Sequence, residues 1–541
     1  MTISHKTVRT IILLLSAVCS AQVALSQVND VTVDAAHEKG RLDRFSNRCV
    51  GAGRAYTFLR SDHQHHIAMA AEECGFRYLR FHGLFQDDMG VYRENRYGEP
   101  FYSWQYVDAV YDFILDTGMR PIVVLDFMPS ALASGDSTIY WEKANITPPA
   151  DYGKWYGLVK ATVDHFVERY GLDEVKEWYF EVWNEPDGYF FTGDREEYLK
   201  LYDASAKAVK EVSAELKVGG PAIAGDRSWI SALIEHCSGL DIPLDFISTH
   251  TYSTRGFYPD SVYASMPDPE YLERIPVWDP GTPWQMGNVA YDPEGIAGSI
   301  EASVETVRKS SMPDLEVCVT EWGLTWDYWD PLRDSYQAAS YILDRIKSTG
   351  GISMLSYCEV SDVFEEDGPP TADFHGGFGL VNLQGIRKPA YFAYRYLNRL
   401  GDTELECTYP DAIAAKDSTG IQILIWDDSC RQDDINKIYY AADTPPGDAG
   451  QIRLLISGLR KGRYTVKLYG VGYRMNDAYT EYLGMAYNGS LSREQVEHLK
   501  SVSADRPLRT DRIRIGDSGD IYEYVIDIRE NDVYLVDIDR Q

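Results

Sequence analysis

Cysteine is scarce in this chain, with 8 in 541 residues. No two are spaced Cys-x-x-Cys and no cysteine–histidine spacing completes a zinc set, so a metal framework and a disulfide scaffold are both excluded. Cys49, Cys74, Cys318 and Cys358 fall in or beside predicted strands and helices, as buried free thiols do. Cys407 and Cys430 are left as a candidate disulfide of an oxidising compartment. Beyond the amino terminus no run of ~18 apolar residues occurs, which leaves no membrane span. A Gly-rich phosphate turn is missing too, and with it the support for a nucleotide-binding open sheet. Positive charge is short: 52 Lys and Arg against 83 Asp and Glu give −31. Such a surface repels nucleic acid and anionic membranes and favours neutral or weakly charged partners.

What is present begins with an export leader. Lys6 and Arg9 precede an apolar stretch from Ile11 to Val18, and Ala24-Leu25-Ser26 offers a small-x-small cleavage site, so residues 1–26 read as a signal peptide of an exported protein. Anchoring as a lipoprotein through Cys19 is the weaker alternative, because Val18 stands where a small residue is expected. At this length two domains are the starting expectation. From 49 to 400, short apolar runs alternate with longer amphipathic ones. The predicted strands are Cys49–Gly53, Arg77–Gly83, Pro121–Phe127, Trp178–Glu185, Lys217–Ala222, Asp245–Tyr252, Glu316–Glu321 and Ser353–Glu359. Helical stretches such as Tyr152–Tyr170 and Glu196–Glu215 lie between them. Eight strands alternating with helices predict an α/β fold, a (β/α)8 TIM barrel. From 401 to 541 short strands separated by turns, among them Gln422–Trp426, Ile438–Ala441, Tyr464–Tyr469 and Val533–Asp537, predict an accessory all-β sandwich. Residues 27–48, with a strand at Val28–Asp34, are expected to join that sandwich.

Two glutamates carry the chemistry. Glu185 ends an apolar run in Phe180-Glu181-Val182-Trp183-Asn184-Glu185-Pro186, and Pro186 cannot continue a ladder because it has no N–H. Glu321 ends another in Val317-Cys318-Val319-Thr320. They close the fourth and seventh strands, whose carboxyl ends form the mouth of a barrel. Two facing carboxyl groups are what glycoside cleavage needs: one protonates the leaving oxygen and one manages the positive anomeric carbon. Asp62-His63-Gln64-His65-His66 is the other eye-catching cluster, but its neighbours point in different directions and no metal is expected there. No cofactor is called for.

These residues bear a family resemblance. Trp183-Asn184-Glu185-Pro186 with Thr320-Glu321-Trp322 resembles the retaining glycosidases whose acid/base and nucleophile end strands four and seven. More narrowly, the chain resembles glycoside hydrolase family 39, the family of β-xylosidases and α-L-iduronidases. The resembling stretches include Leu79-Arg80-Phe81-His82, Phe127-Met128-Pro129, Thr249-His250-Thr251-Tyr252, Ser361-Asp362-Val363-Phe364-Glu365-Glu366 and Gly385-Ile386-Arg387-Lys388-Pro389-Ala390. The resemblance implies that Glu185 is the general acid/base, Glu321 the nucleophile, and that Asn184 bonds the sugar 2-hydroxyl. His82, His250, Tyr252, Glu365 and Glu366 would bind the sugar in the first subsite. It also implies an exo-acting, β-xylosidase-like hydrolase with a carbohydrate substrate. An iduronidase, arabinopyranosidase or galactosidase type is the alternative, and an endo-glycanase or a non-catalytic binder less so. One position departs from the pattern. β-Xylosidases of the family carry a Trp after the tyrosine that ends strand eight, whereas this chain reads Tyr357-Cys358-Glu359. Trp326, Trp329 or an aromatic of the long loop 253–297 is the candidate to supply a stacking face, and that loop is expected to border the pocket and contact the leaving group through Trp278 and Trp284. A monomer and a homo-oligomer are both left open.

Overall fold

The computed structural model describes residues 28–257, 289–292, 295–327, 330–364, 366, 368–370, 372–429, 440, 442–485, 490–516 and 519–541. Residues 1–27, Cys430, Glu365, Trp329, Trp278 and Trp284 lie outside them, as does most of the long loop.

Eight parallel strands close into a barrel in the chain order of a TIM fold. They are Cys49–Arg54, Tyr78–His82, Arg120–Leu125, Tyr179–Val182, Lys217–Ile223, Phe246–Tyr252, Glu316–Gly323 and Met354–Tyr357, referred to below as strands one to eight. Because strand side chains alternate, each strand serves two environments. Leu79, Phe81, Val123, Phe180, Val182, Ile247, Val319 and Leu355 join the large core shared with the helices. Cys49, Tyr78, Ile122, Tyr179, Phe246, Cys318 and Met354 form a separate cluster, one from each of seven strands, that plugs the barrel floor. Two residues further along, the same inward positions hold Arg80, Glu181, Thr320, Ser248 and Ser356, all buried. The floor is therefore apolar and the layer above it polar, which places buried charge directly beneath the mouth. The helix Tyr152–Tyr170 starts at Asp151, whose carboxylate accepts from the amides of Gly153 and Lys154. The helix Arg195–Val212 is capped likewise by Asp194.

Apart from three two-stranded hairpins, the remaining described strands form one nine-stranded sheet that includes the amino-terminal strand Val28–Arg41. That strand pairs antiparallel with Thr403–Cys407 and parallel with Asp448–Ser457. Alternate residues from all nine strands meet in a single core, so the sheet folds across its own face as a sandwich. Two helices, Ala478–Leu483 and Arg493–Val502, interrupt its β pattern and pack with Phe374 and Ile386 of the barrel. Of the expected strand Ile438–Ala441, Tyr440 alone is described, and it is helical. Cys407 is a free thiol.

Sandwich and barrel share an apolar interface. In Gly420–Trp426, Ile421, Ile423 and Ile425 face the sandwich core, while Leu424 and Trp426 belong to the barrel core. Val533 and Leu535 do the same from Val533–Arg540. At the edge of this contact Arg395 and Tyr396 both bond Asp505 at 2.8 Å. Trp426 is fully buried, and truncating such a side chain costs ~3–5 kcal/mol in lost transfer and cavity energy. Trp426→Ala is expected to lower the thermal midpoint with barrel and sandwich still melting in one calorimetric transition; two resolved transitions would show that the interface does not couple them.

Candidate active site

Arg80 is the centre of the barrel mouth. Its Nε donates to Glu181 Oε2 at 2.7 Å, Nη1 to Glu321 Oε1 at 2.5 Å and Nη2 to Asn184 Oδ1 at 2.8 Å. Thr320 donates to the other oxygen of Glu181 at 2.8 Å. With its amide oxygen taken by Arg80, Asn184 presents its NH2 edge as a donor. Glu321 Oε2 accepts from the Tyr252 hydroxyl at 2.8 Å. His250 Nδ1 lies 2.7 Å from Glu185 Oε1 and 3.5 Å from Glu321 Oε2. A carboxylate oxygen of Glu185, one of Glu321 and a ring nitrogen of His250 all fall within 4.8 Å of one another.

Backbone geometry aims Glu185. Its amide donates to Ala222 O on the neighbouring strand at 3.0 Å. Trp183 (φ 69°) and Glu185 (φ 45°) are both in the left-handed region that L residues avoid. Trp183 is locked by its indole N–H on Phe190 O at 2.9 Å and by edge contacts to Phe127 and Phe191. The strand end is thus held in a sparsely populated conformation by packing around it, a pattern that clusters at active sites.

The two glutamates titrate in opposite directions. Burial pushes the Glu185 carboxyl above the ordinary range and the charge of Glu321 adds to the push, against the pull of His250. Burial would raise Glu321 as well, but the positive charges of His250, Arg80 and His82 and the Tyr252 hydroxyl bring it down to about 2. One group is poised to hold a proton and the other to remain an anion. Among the described residues Glu185, His250 and Glu321 are also the one group of three possible ligand residues close enough to hold an ion. Arg80 already occupies Glu321, however, and His250 Nδ1 faces Glu185, so the arrangement is a carboxylate pair with its own counter-charge rather than a vacant metal cage.

A family model described as glycosyl hydrolases family 39 matches residues 29–273 and 289–513. The β-xylosidase of Geobacillus stearothermophilus is 39% identical over 389 residues, 70% of this chain and 73% of its own. That of Caldicellulosiruptor saccharolyticus is 34% identical over 483 residues, 88% of this chain and 92% of its own. The crystal structure of the GH39 enzyme from Xanthomonas axonopodis pv. citri is similar with a TM-score of 0.87 and 33% identity, covering 96% of this chain and 98% of that one. The chain belongs to glycosyl hydrolase family 39. It is a retaining glycosidase that hydrolyses glycosyl bonds, and an oxygen of Glu185 within 4.8 Å of one of Glu321 sets the two carboxylates side by side at the mouth.

In this family 39 enzyme Glu185, Glu321, Asn184, His250 and Tyr252 converge at one point, as does the Arg80 layer beneath them. His82 stands beside them at the end of strand two, its Nε2 3.1 Å from Glu366 Oε1. Burial would lower the imidazole, but Glu366 outweighs it and lifts His82 to about 9, so it is a cation in the working range. Cys358 is buried and donates to Glu359 at 3.0 Å. Burial and the charge of Glu321 push Glu359 up to about 8. Trp326 is exposed.

Arg80, Glu181 and Glu359 had no assigned role in the sequence reading. For the first two a signal existed: a charge in the middle of Tyr78-Leu79-Arg80-Phe81 and of Tyr179-Phe180-Glu181-Val182, each on a strand buried along its whole length. A buried charge on such a strand needs a partner. Without Arg80 the ionised form of Glu321 loses its nearest counter-charge, so its pKa must rise. Arg80→Met is expected to move the acid limb of kcat/KM upward by about one pH unit or more and to cost about a hundredfold at the optimum. A pH–rate profile whose acid limb stays in place would detach Glu321 from Arg80.

Proposed function

We propose that this protein is an exo-acting β-xylosidase in which Glu185 is the general acid/base and Glu321 the nucleophile. The observation that carries the catalytic assignment is the carboxylate pair held close together with opposite displacements of pKa. In the first step Glu321 attacks the anomeric carbon as Glu185 protonates the leaving oxygen. In the second, water deprotonated by Glu185 releases the sugar from the ester of Glu321. Loss of the Glu321 charge in the ester removes one of the influences that raise Glu185, which suits its change from acid to base.

An exo action is supported by the rim. The hairpin after strand three meets the loop after strand eight where the Trp141 amide donates to Glu366 O at 2.8 Å. That contact walls the cleft on the side of His82, as a pocket for a terminal sugar requires. A neutral sugar is favoured over a uronic acid because the described cations around the pocket are already matched. Arg54 pairs with Asp88, Arg80 with Glu181 and Glu321, and His82 with Glu366. Similarity to β-xylosidases over most of the chain supports xylose within that class.

The test is release of aryl groups from β-xylose, α-L-arabinopyranose, β-galactose and α-L-iduronate, with β-xyloside expected to lead. Glu321→Ala is expected to lose turnover by several orders of magnitude and, with azide and an activated glycoside, to yield the azide of inverted configuration. Near-normal turnover would remove Glu321 from the nucleophile role. The profile of the parent enzyme is expected to be bell-shaped in the mildly acidic range, because Glu185 must be protonated and Glu321 ionised. Its alkaline limb belongs to Glu185, so an unchanged alkaline limb in Glu185→Ala would overturn that assignment.

We further infer export, supported by the charged, apolar and small-residue segments of residues 1–26. Protein recovered outside the cytoplasm is expected to begin at Gln27 on amino-terminal sequencing; an intact leader there would refute cleavage.

A further inference from the structure

We infer that Glu142, at the tip of the hairpin after strand three, is a specificity-determining residue that holds a ring hydroxyl of the terminal sugar together with Arg54. The inference rests on the glycosidase reading of the same pocket and adds to it a contact on the side away from the anomeric carbon.

The hairpin pairs Thr138–Ile139 with Ala144–Asn145, and four residues form its tip. Tyr140 (φ 66°) and Lys143 (φ 59°) both take the left-handed backbone. Two such residues flanking a tight tip rotate the side chains between them, and strain of this kind is kept where it aims something. Tyr140 stacks parallel to His82 at 6.0 Å and touches Phe190 at 5.5 Å, which seats the tip over the pocket. Trp141 turns outward, 68% exposed. Glu142 turns inward, its side chain 7% exposed.

Once inside, Glu142 is only half satisfied. Oε1 receives Gln86 Nε2 at 3.5 Å and faces Arg54 Nε at 3.9 Å, beyond hydrogen-bond reach. Arg54 Nη1 donates to both Gln86 Oε1 and Asp88 Oδ2. Glu142 Oε2 and Arg54 Nε are both buried without a hydrogen-bond partner, and so is His82 Nδ1 close by. Native proteins pair nearly all such atoms, so an acceptor and a donor left open across a gap ask for a third group. A hydroxyl is that group: it donates one proton and accepts through its lone pairs, and here would donate to Glu142 Oε2 and accept from Arg54 Nε. A carboxylate in the same place would meet the charges of Glu142 and Glu366, and a methylene would leave both atoms open. Asn184 and the catalytic pair lie on the anomeric side, and Glu142 lies beyond His82 and Glu366. The hydroxyl in question is therefore on ring carbon three or four.

The experiment is a cycle of enzyme and substrate changes: native enzyme, Glu142→Gln and Glu142→Ala, each with aryl β-xyloside and its 3-deoxy and 4-deoxy analogues. On the parent xyloside Glu142→Gln is expected to lower kcat/KM about tenfold or more. On one of the two deoxy analogues the native enzyme has already lost that factor, and the substitution costs less than about threefold further. Equal losses from Glu142→Gln on all three substrates overturn the proposal. So does a native enzyme indifferent to removal of either hydroxyl, a result that needs no variant to fold. The same cycle read as calorimetric Kd for free xylose and its deoxy forms does not depend on turnover. Failure of the hydrolytic reading, seen as no release from any aryl glycoside, is thereby told apart from failure of the Glu142 assignment, seen as the absence of coupling in Kd.

Discussion

The guanidinium of Arg80 is the constraint on which the site depends. A charge in the interior is tolerated only when paired and fully hydrogen-bonded, and Arg80 meets that demand by binding three groups at once: Glu181 below it, Glu321 beside it and Asn184 above. The planar fork of an arginine turns an electrostatic need into a geometric one, because the three acceptors are held at fixed angles to one another. The asymmetry of the catalytic pair follows. Glu321 is given the cation and remains ionised. Glu185 is given burial and a nearby anion and keeps its proton.

The barrel serves this arrangement by stratification. Its apolar floor of Cys49, Tyr78, Ile122, Tyr179, Phe246, Cys318 and Met354 keeps water from reaching the charge layer from below. Polar residues therefore meet only one another and whatever enters at the mouth. Around the mouth, loops from strands three and eight are joined by a backbone hydrogen bond, so the side of the pocket carrying His82 and Glu366 is a shared wall rather than two separate loops.

Glu185 and Glu321 were legible because each follows a strongly apolar run, although the strands themselves end at Val182, three residues short of Glu185, and at Gly323, two beyond Glu321. The alternation that revealed the barrel is equally a local property. Arg80 was visible as a charge out of place, yet its partner Glu321 stands 241 residues away, and no local pattern reports such a distance. The strands Thr403–Cys407, Ala412–Lys416 and Arg509–Ile515 escaped notice because they are alanine-rich or charged, and are strands by virtue of their neighbours. The hairpin that carries Glu142 has two-residue strands, too short to show a period at all.

The pairing of Val28–Asp34 with Gln451–Ser457 bears on how the chain is made. A ribosome adding ~5–20 residues each second leaves roughly 20–80 s between the emergence of the first strand and that of its parallel partner. Its antiparallel partner, Thr403–Cys407, emerges only slightly sooner. Through that interval the β segment bearing Val31 and Val33 has no native neighbour, a high-contact-order element that waits while the barrel is completed. Asp30, Asp34, Glu38, Lys39 and Arg41 lie along the same strand, with Val31 and Val33 as its fully buried members. Charges spaced in this way discourage an orphan edge from recruiting the wrong chain. The sheet that backs the catalytic barrel is thus sealed late, by its oldest segment, and those charges guard that segment until its partners arrive.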